Sequence, residues 1–278
     1  MIELRNFSYR YPNQTRPALA GIQLKIPKGQ FCGVVGANGA GKSTLCYALS
    51  GFVPHFYRGD VSGILRIGGR EIAQTTLGIL AGEIGLVFQD PFNQISGARF
   101  SVREEVAFGL ENLGLARRKI ETRVSEVLGL MRLAAIADRS PFELSGGQQQ
   151  RVAIASILAM QPKVLVLDEP TSQLDPHGTA EVFEALDEIT RDRETTVVIV
   201  EHKLEWLAEF ADRVVVLDAG RVVMDGPARK VLADDGLKKL GIGRTQYSEA
   251  AASAQKKRLF RRSGILPITL KQARAFFK

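Results

Sequence analysis

The sequence predicts an α/β fold in which a mixed sheet with a parallel core is covered by helices. Three features carry that expectation. Short apolar runs at 31–35, 84–88, 164–167 and 196–200 have the length and composition of buried strands. Stretches of helical period stand between the later runs, as strand–helix–strand units require. A helical insert at roughly 90–160 interrupts the alternation. With 278 residues, 45% of them hydrophobic, the chain can bury one large domain with a small C-terminal extension.

Taken in order, residues 2–11 alternate loosely between apolar and polar side chains and stop at Pro12, which suggests a strand, and 18–26 suggests a second. Residues 31–35 are the buried strand that feeds a glycine-rich turn, and 45–49 read as a helix. Residues 51–63, rich in glycine and aromatics, read as a loop, and 64–67 before Gly68-Gly69 suggest a hairpin. The run 84–88 ends in Gln89-Asp90-Pro91. From about Val102 the period turns helical, with Ile120, Val124, Val127, Leu128 and Met131 at spacings of three and four. Beyond the insert, strand 164–167, a helix from about His177 to Arg191, strand 196–200, helix 204–210 and strands at 214–217 and 221–224 complete the pattern.

Composition narrows the function classes. No window approaches 18 consecutive apolar residues, so no membrane span is expected, and the first residues lack a basic-then-apolar signal pattern. Cys32 and Cys46 lie in apolar segments and read as small core residues of a reducing compartment. The net charge of +7 is uneven: residues 256–278 hold eight Lys or Arg and no acid, which leaves 29 basic against 30 acidic residues before them. Such a tail suits nucleic acid, anionic lipid or an acidic protein surface, and equally a solvated end without a partner.

The chemistry centres on Gly36-Ala37-Asn38-Gly39-Ala40-Gly41-Lys42-Ser43-Thr44, a GxxxxGK[ST] pattern between a strand and a helix. Glycines let successive backbone N–H groups curl round an anion, and the helix N-terminus points its dipole at the same place. Lys42 brings a point charge for the outer phosphates and Ser43 an oxygen for Mg2+. The ligand implied is a nucleoside triphosphate, against the plainer alternative of a glycine-rich turn before an ordinary helix.

Two further groups belong with it. The run 164–167 ends in Asp168-Glu169, placing two carboxylates at a strand tip, the edge where open α/β sheets bind ligands. Asp168 suits a Mg2+ shell, and Glu169 the role of general base toward water. Residues 144–151, Leu-Ser-Gly-Gly-Gln-Gln-Gln-Arg, contain a capping box in Ser145 and Gln148. Gly146 and Gly147 then stand in a first helical turn at about 1 kcal/mol each relative to alanine. That cost makes sense where another backbone or an anion approaches closely.

GANGAGKST, LSGGQQQR and LVLDEP in this order resemble the nucleotide-binding subunit of ATP-binding cassette (ABC) transporters, over about residues 1–235. The resemblance implies a P-loop NTPase cassette with an N-terminal antiparallel β subdomain and an α-helical subdomain at about 90–160, with ATP and Mg2+ as cofactors. It implies that Gly36, Asn38, Gly39, Gly41, Lys42, Ser43 and Thr44 bind nucleotide, with Tyr11 stacked on adenine. Ser43, Gln89 and Asp168 would hold the metal, and Glu169, His202 and Gln89 would be the catalytic group. Ser172-Gln173-Leu174-Asp175 resembles the D-loop of the dimer interface, with Gln173 where alanine is common. Ser145, Gly146, Gly147 and Gln148 would act in trans, closing over ATP held by a second cassette. By the same standard His55 and His177, which match no motif, read as structural.

Shorter stretches are similar to the energy-coupling factor (ECF) importers: Gln89-Asp90-Pro91-Phe92-Asn93-Gln94, residues 108–114, residues 201–206 and Leu266-Pro267-Ile268-Thr269-Leu270. These imply a peripheral subunit at the cytoplasmic face of the membrane. Its partners would be a second cassette, identical or paralogous, a membrane coupling protein (EcfT-like) and a substrate-binding membrane subunit (EcfS-like), with no nucleic acid. The alternatives are another ABC importer class, or a soluble ABC ATPase acting on nucleic acid or ribosomes. Within the extension at 236–278, Thr269 and Gln272 make a capping-box pattern, and Leu270, Ala273 and Phe277 fall on one helical face. So short a helix is expected to dock on something, the other cassette by resemblance or else lipid headgroups.

Overall fold

The computed structural model describes residues 1–257 and 264–277. Of the basic tail, Arg258, Arg261, Arg262 and Lys278 lie outside the described residues. Strands are β1 (Ile2–Arg10), β2 (Leu19–Ile26), β3 (Phe31–Val35), β4 (Asp60–Ile67), β5 (Arg70–Glu71), β6 (Ile84–Val87), β7 (Val164–Asp168), β8 (Thr196–Val200), β9 (Arg213–Asp218) and β10 (Arg221–Pro227). They form a four-stranded antiparallel sheet in the order β2-β1-β4-β5 and a six-stranded sheet in the order β10-β9-β3-β8-β7-β6. In the second sheet every pairing is parallel except β9 with β10.

The parallel strands β3, β6, β7 and β8 are buried along their whole length, so their side chains alternate between two apolar clusters. Leu165, Leu167, Val197 and Ile199 face one cluster, and Val164, Val166, Val198 and Val200 face the other. Burying each of these side chains contributes about 1.5–3 kcal/mol. Helix α1 (Lys42–Leu49) runs from the tip of β3 between the two sheets, where Leu45, Cys46, Ala48 and Leu49 join Ile2 and Leu4 of β1. Burial pushes the Cys32 thiol up to about 12 and the Cys46 thiol well above its usual range, so both cysteines are inert core residues.

Short helices α2 (Phe52–His55) and α3 (Leu77–Ala81) precede the insert, which consists of α4 (Val102–Asn112), α5 (Arg117–Leu130) and α6 (Gly146–Ala159). Ser101 and Glu104 close a capping box on α4, and Ser145 and Gln148 close the expected one on α6. Helix α7 (Pro176–Thr190) follows β7, and α8 (Leu204–Phe210) links β8 to β9. Helices α9 (Ala228–Val231), α10 (Gly236–Lys239), α11 (Gln246–Lys256) and α12 (Leu270–Phe276) end the chain.

Two expectations are corrected. The loop at 51–63 holds α2 and the start of β4: Asp60, Val61 and Ser62 pair with Arg10, Tyr9 and Ser8 of β1. This polar, half-exposed segment is a strand because β1 offers it an unpaired edge, which periodicity alone does not reveal. On α12 the buried residues are Ala273 and Phe276, while Leu270 and Phe277 are exposed. The cap itself holds, with Thr269 Oγ1 accepting from Gln272 N, but Gln272 Oε1 accepts from Ile268 N. The extension shares the main core, through Leu237 and Ile268, and Gln246 N donates to Glu205 Oε1 of α8 at 2.9 Å.

Candidate active site

The tips of β3, β6, β7 and β8 bring together residues that lie far apart in the chain. At β3 the turn 36–41 leads into α1, whose N-cap is Gly41 at φ 99°. A Cβ on Gly41 would come within 2.5 Å of the Ala18 carbonyl, and one on Gly36 within 2.4 Å of the Leu217 carbonyl. Gly39, at φ +79°, faces open space and leaves the loop's mouth clear. Lys42 is buried and donates to the Gly36 and Ala37 carbonyls at 3.0 and 3.1 Å, spanning the loop that its ammonium would share with an anion.

Asp168 ends β7 and is 3% exposed, with its Oδ1 buried and unpartnered among the described residues. Burial raises its pKa, opposed first by a hydrogen bond from the Ser43 hydroxyl. An orphaned carboxylate oxygen beside a hydroxyl fits Mg2+, which takes few protein ligands and completes its shell with phosphates and water. No cluster of three or more His, Cys, Asp or Glu among the described residues offers an all-protein metal cage instead.

Glu169 takes a left-handed backbone, φ 48°, which costs of order 1–3 kcal/mol in a non-glycine residue. That turn sets its carboxylate between two other strand tips. Gln89 Nε2, beyond β6, donates to Oε2 at 2.9 Å, and His202 Nε2, beyond β8, lies 2.8 Å from Oε1. The three expected catalytic side chains therefore form one connected group. Tyr11, past the end of β1, meets Thr44 through its hydroxyl at 3.2 Å, and its ring lies 6.2 Å from that of Tyr57. Tyr57 in turn stacks on Tyr47 of α1, so an aromatic wall stands beside the phosphate loop.

The Ser145–Gln148 turn is elsewhere. It borders a cavity of about 480 Å³ shared with Gln173, Asp175 and His177, and no residue of the phosphate loop lines it. A Cβ on Gly146 would meet Gln173 Oε1 at 2.9 Å, and one on Gly147 would meet Leu174 Cδ2 at 3.3 Å. The close approach inferred from the two glycines thus involves the chain's own segment 172–175. Asp175 caps α7, accepting from Gly178 N at 2.6 Å. His55 bonds the Ile72 carbonyl and His177 pairs with Glu181. A cavity of about 660 Å³ lies at the opposite end of β7 and β8, lined by Lys28, Leu130 and Glu188 among others, so volume does not locate this site.

Sequence reasoning missed two supports. Gln150, fully buried on α6, donates to the Phe88 carbonyl at 3.4 Å and ties that helix to the residue before Gln89. Glu201, 3% exposed, accepts from His202 N at 2.8 Å and from Thr171 Oγ1 at 2.5 Å. A charge directly after the apolar run 196–200 is the signal that pointed to it.

Similar proteins place the chain in a family. The ABC transporter family matches residues 19–172. A relative from Methanosarcina acetivorans is 45% identical over 230 residues, 83% of this chain, and the match spans 36% of that relative's length. The energy-coupling factor transporter ATP-binding protein EcfA of Pediococcus pentosaceus is 39% identical over 241 residues, 86% of this chain and 83% of its own. The structure of cbiO1 from Clostridium perfringens, part of the ABC transporter complex cbiONQ, superposes with TM-score 0.74 at 33% identity, covering 90% of this chain and 98% of that one. The chain belongs to the ABC transporter family, whose cassettes bind and hydrolyse ATP with Mg2+.

Proposed function

We propose that the chain is the ATP-hydrolysing subunit of an ECF-type importer, driving uptake of a vitamin or transition-metal ion through membrane partners. The observation that carries the catalytic part is Glu169, held between Gln89 and His202 one residue beyond the buried Asp168. In this reading the phosphate loop and Lys42 hold the triphosphate, Tyr11 stacks on the base, and Ser43, Asp168 and Gln89 hold Mg2+. The metal, when bound, neutralises charge on the outer phosphates. Glu169 takes a proton from the attacking water, and His202 orients the carboxylate and contacts the γ-phosphate.

The Ser145–Gln148 turn serves a second cassette. ATP binds the closed pair better than the open one, and so drives closure; hydrolysis removes the bridging phosphate and reopens it. The ECF assignment draws support from the similarity to EcfA and to cbiO1. Residues 1–235 are then the cassette and 236–278 a dimerisation element. No helix among the described residues is long and apolar enough to cross a membrane, and attachment at the cytoplasmic face falls to the coupling protein and the substrate-binding membrane subunit. The test is purification of the intact complex from membranes. The reading expects a second cassette and two kinds of membrane subunit. Recovery of the chain with ribosomes or RNA and no membrane subunit would overturn it.

A further inference from the structure

Lys203 follows His202 and precedes α8, and its side chain reaches the segment between β7 and α7. Its Nζ donates to the Thr171 carbonyl at 2.9 Å, to Thr179 Oγ1 at 2.8 Å and to the Leu174 carbonyl at 3.4 Å. Three acceptors use every donor that an ammonium has. From the other side, Glu201 Oε1 accepts from the amides of His202 and Lys203 at 2.8 and 3.1 Å, and Oε2 accepts from Thr171 Oγ1. Thr171 is therefore gripped at its carbonyl and at its hydroxyl by neighbours on either side of His202.

The gripped segment is also held at its far end, where the Asp175 carbonyl accepts from Thr179 N and Thr179 Oγ1, and by the half-buried Leu174, but it is open in between. Ser172, Gln173 and Asp175 are exposed, and its backbone turn rests on Ser172 N to the Glu169 carbonyl at 3.2 Å and Leu174 N to the Thr171 carbonyl at 3.1 Å. Two carbonyls that converge on one cation would separate without it, because charge-assisted bonds are the strong ones here.

We propose that Lys203 is a positioning residue for ATP hydrolysis. It joins residues 171–175 to the histidine segment, so that the surface beside the Ser145 turn and His202 on Glu169 move as one body. The inference rests on the functional reading above, in which residues 172–175 face a second cassette. Lys203 acts through the segments it joins, since its ammonium is spent on two carbonyls between β7 and α7 and on Thr179 in the first turn of α7. Helix α8 is anchored independently by the buried Leu204 and Leu207. A methionine at 203 keeps the apolar stem, so Lys203→Met is expected to fold.

The test compares the full chain with Lys203→Met and Lys203→Arg by amide hydrogen exchange without nucleotide, and by steady-state ATP hydrolysis. Lys203→Met should speed exchange across 171–175 about tenfold and leave the parallel strands unchanged. It should lower kcat about tenfold with KM within about twofold, and Lys203→Arg should recover part of both losses. Unchanged exchange, unchanged kcat or a loss that arginine does not rescue would overturn the proposal. A parent chain that binds ATP but never hydrolyses it, alone or paired with its partner cassette, would overturn the functional reading instead, while the exchange result would still judge the link between the segments.

Discussion

Replacing Glu169 by glutamine changes one atom's chemistry at the centre of the site. Each carboxylate oxygen already has a neighbour, Gln89 Nε2 at 2.9 Å and His202 Nε2 at 2.8 Å. An amide has one acceptor and one donor end. Gln89 donates at Oε2, so the new carbonyl belongs there and the new NH2 faces His202, which accepts in the tautomer protonated at Nδ1. Glutamine tolerates the left-handed backbone at 169 no worse than glutamate does. The variant should therefore fold and bind ATP normally but lose the base. General-base catalysis is worth roughly 10²–10⁴-fold, or about 3–5 kcal/mol of barrier. Phosphate release should accordingly fall by at least about 100-fold, with the ATP Kd within about threefold and a closed dimer accumulating with ATP. Hydrolysis within about threefold of the parent chain would refute the assignment of Glu169.

Two other variants probe the cofactor side. Tyr11→Ala removes the proposed base stack, worth about 1–3 kcal/mol, and should raise KM for ATP about 5- to 150-fold with Tyr11→Trp near normal; equal KM values would remove Tyr11 from the site. Burial raises the Asp168 pKa, so its ionisation costs stability: the folded chain is favoured at low pH and loses that advantage as pH rises through the folded value. Asp168→Asn should thus raise the nucleotide-free Tm near neutral pH, by about 2–4 °C per kcal/mol recovered, and abolish the further rise given by Mg2+ and ATP. A lower nucleotide-free Tm at neutral pH would contradict this.

Much of the site was legible because neighbours in sequence supply it. Strand, turn and helix in immediate succession place Gly36 to Thr44, and an apolar run ending in acids places Asp168 and Glu169 at the same sheet edge. Gln89 and His202 were assigned by resemblance, and the parallel order β8-β7-β6 brings both to Glu169. What was hidden depends on contacts between distant residues. The polar strand start at Asp60 exists because of Arg10 and Tyr9, and the buried face of α12 is set by what it packs on. Gly146 is shaped by Gln173, and Lys203 reads as an ordinary surface lysine until the carbonyls of Thr171 and Leu174 are seen converging on it.

In the proposed function one chain holds half of a site, with Lys42 on its own side and the Ser145 turn serving a second cassette. Mixing Lys42→Ala chains with Ser145→Arg chains tests it, because each variant alone leaves every composite site defective. In a mixed dimer one interface collects both defects and the other collects neither. ATP hydrolysis, absent from either variant alone, should return in the mixture to as much as one working site per dimer. A confirmed mixed dimer that remains inactive would contradict this reading.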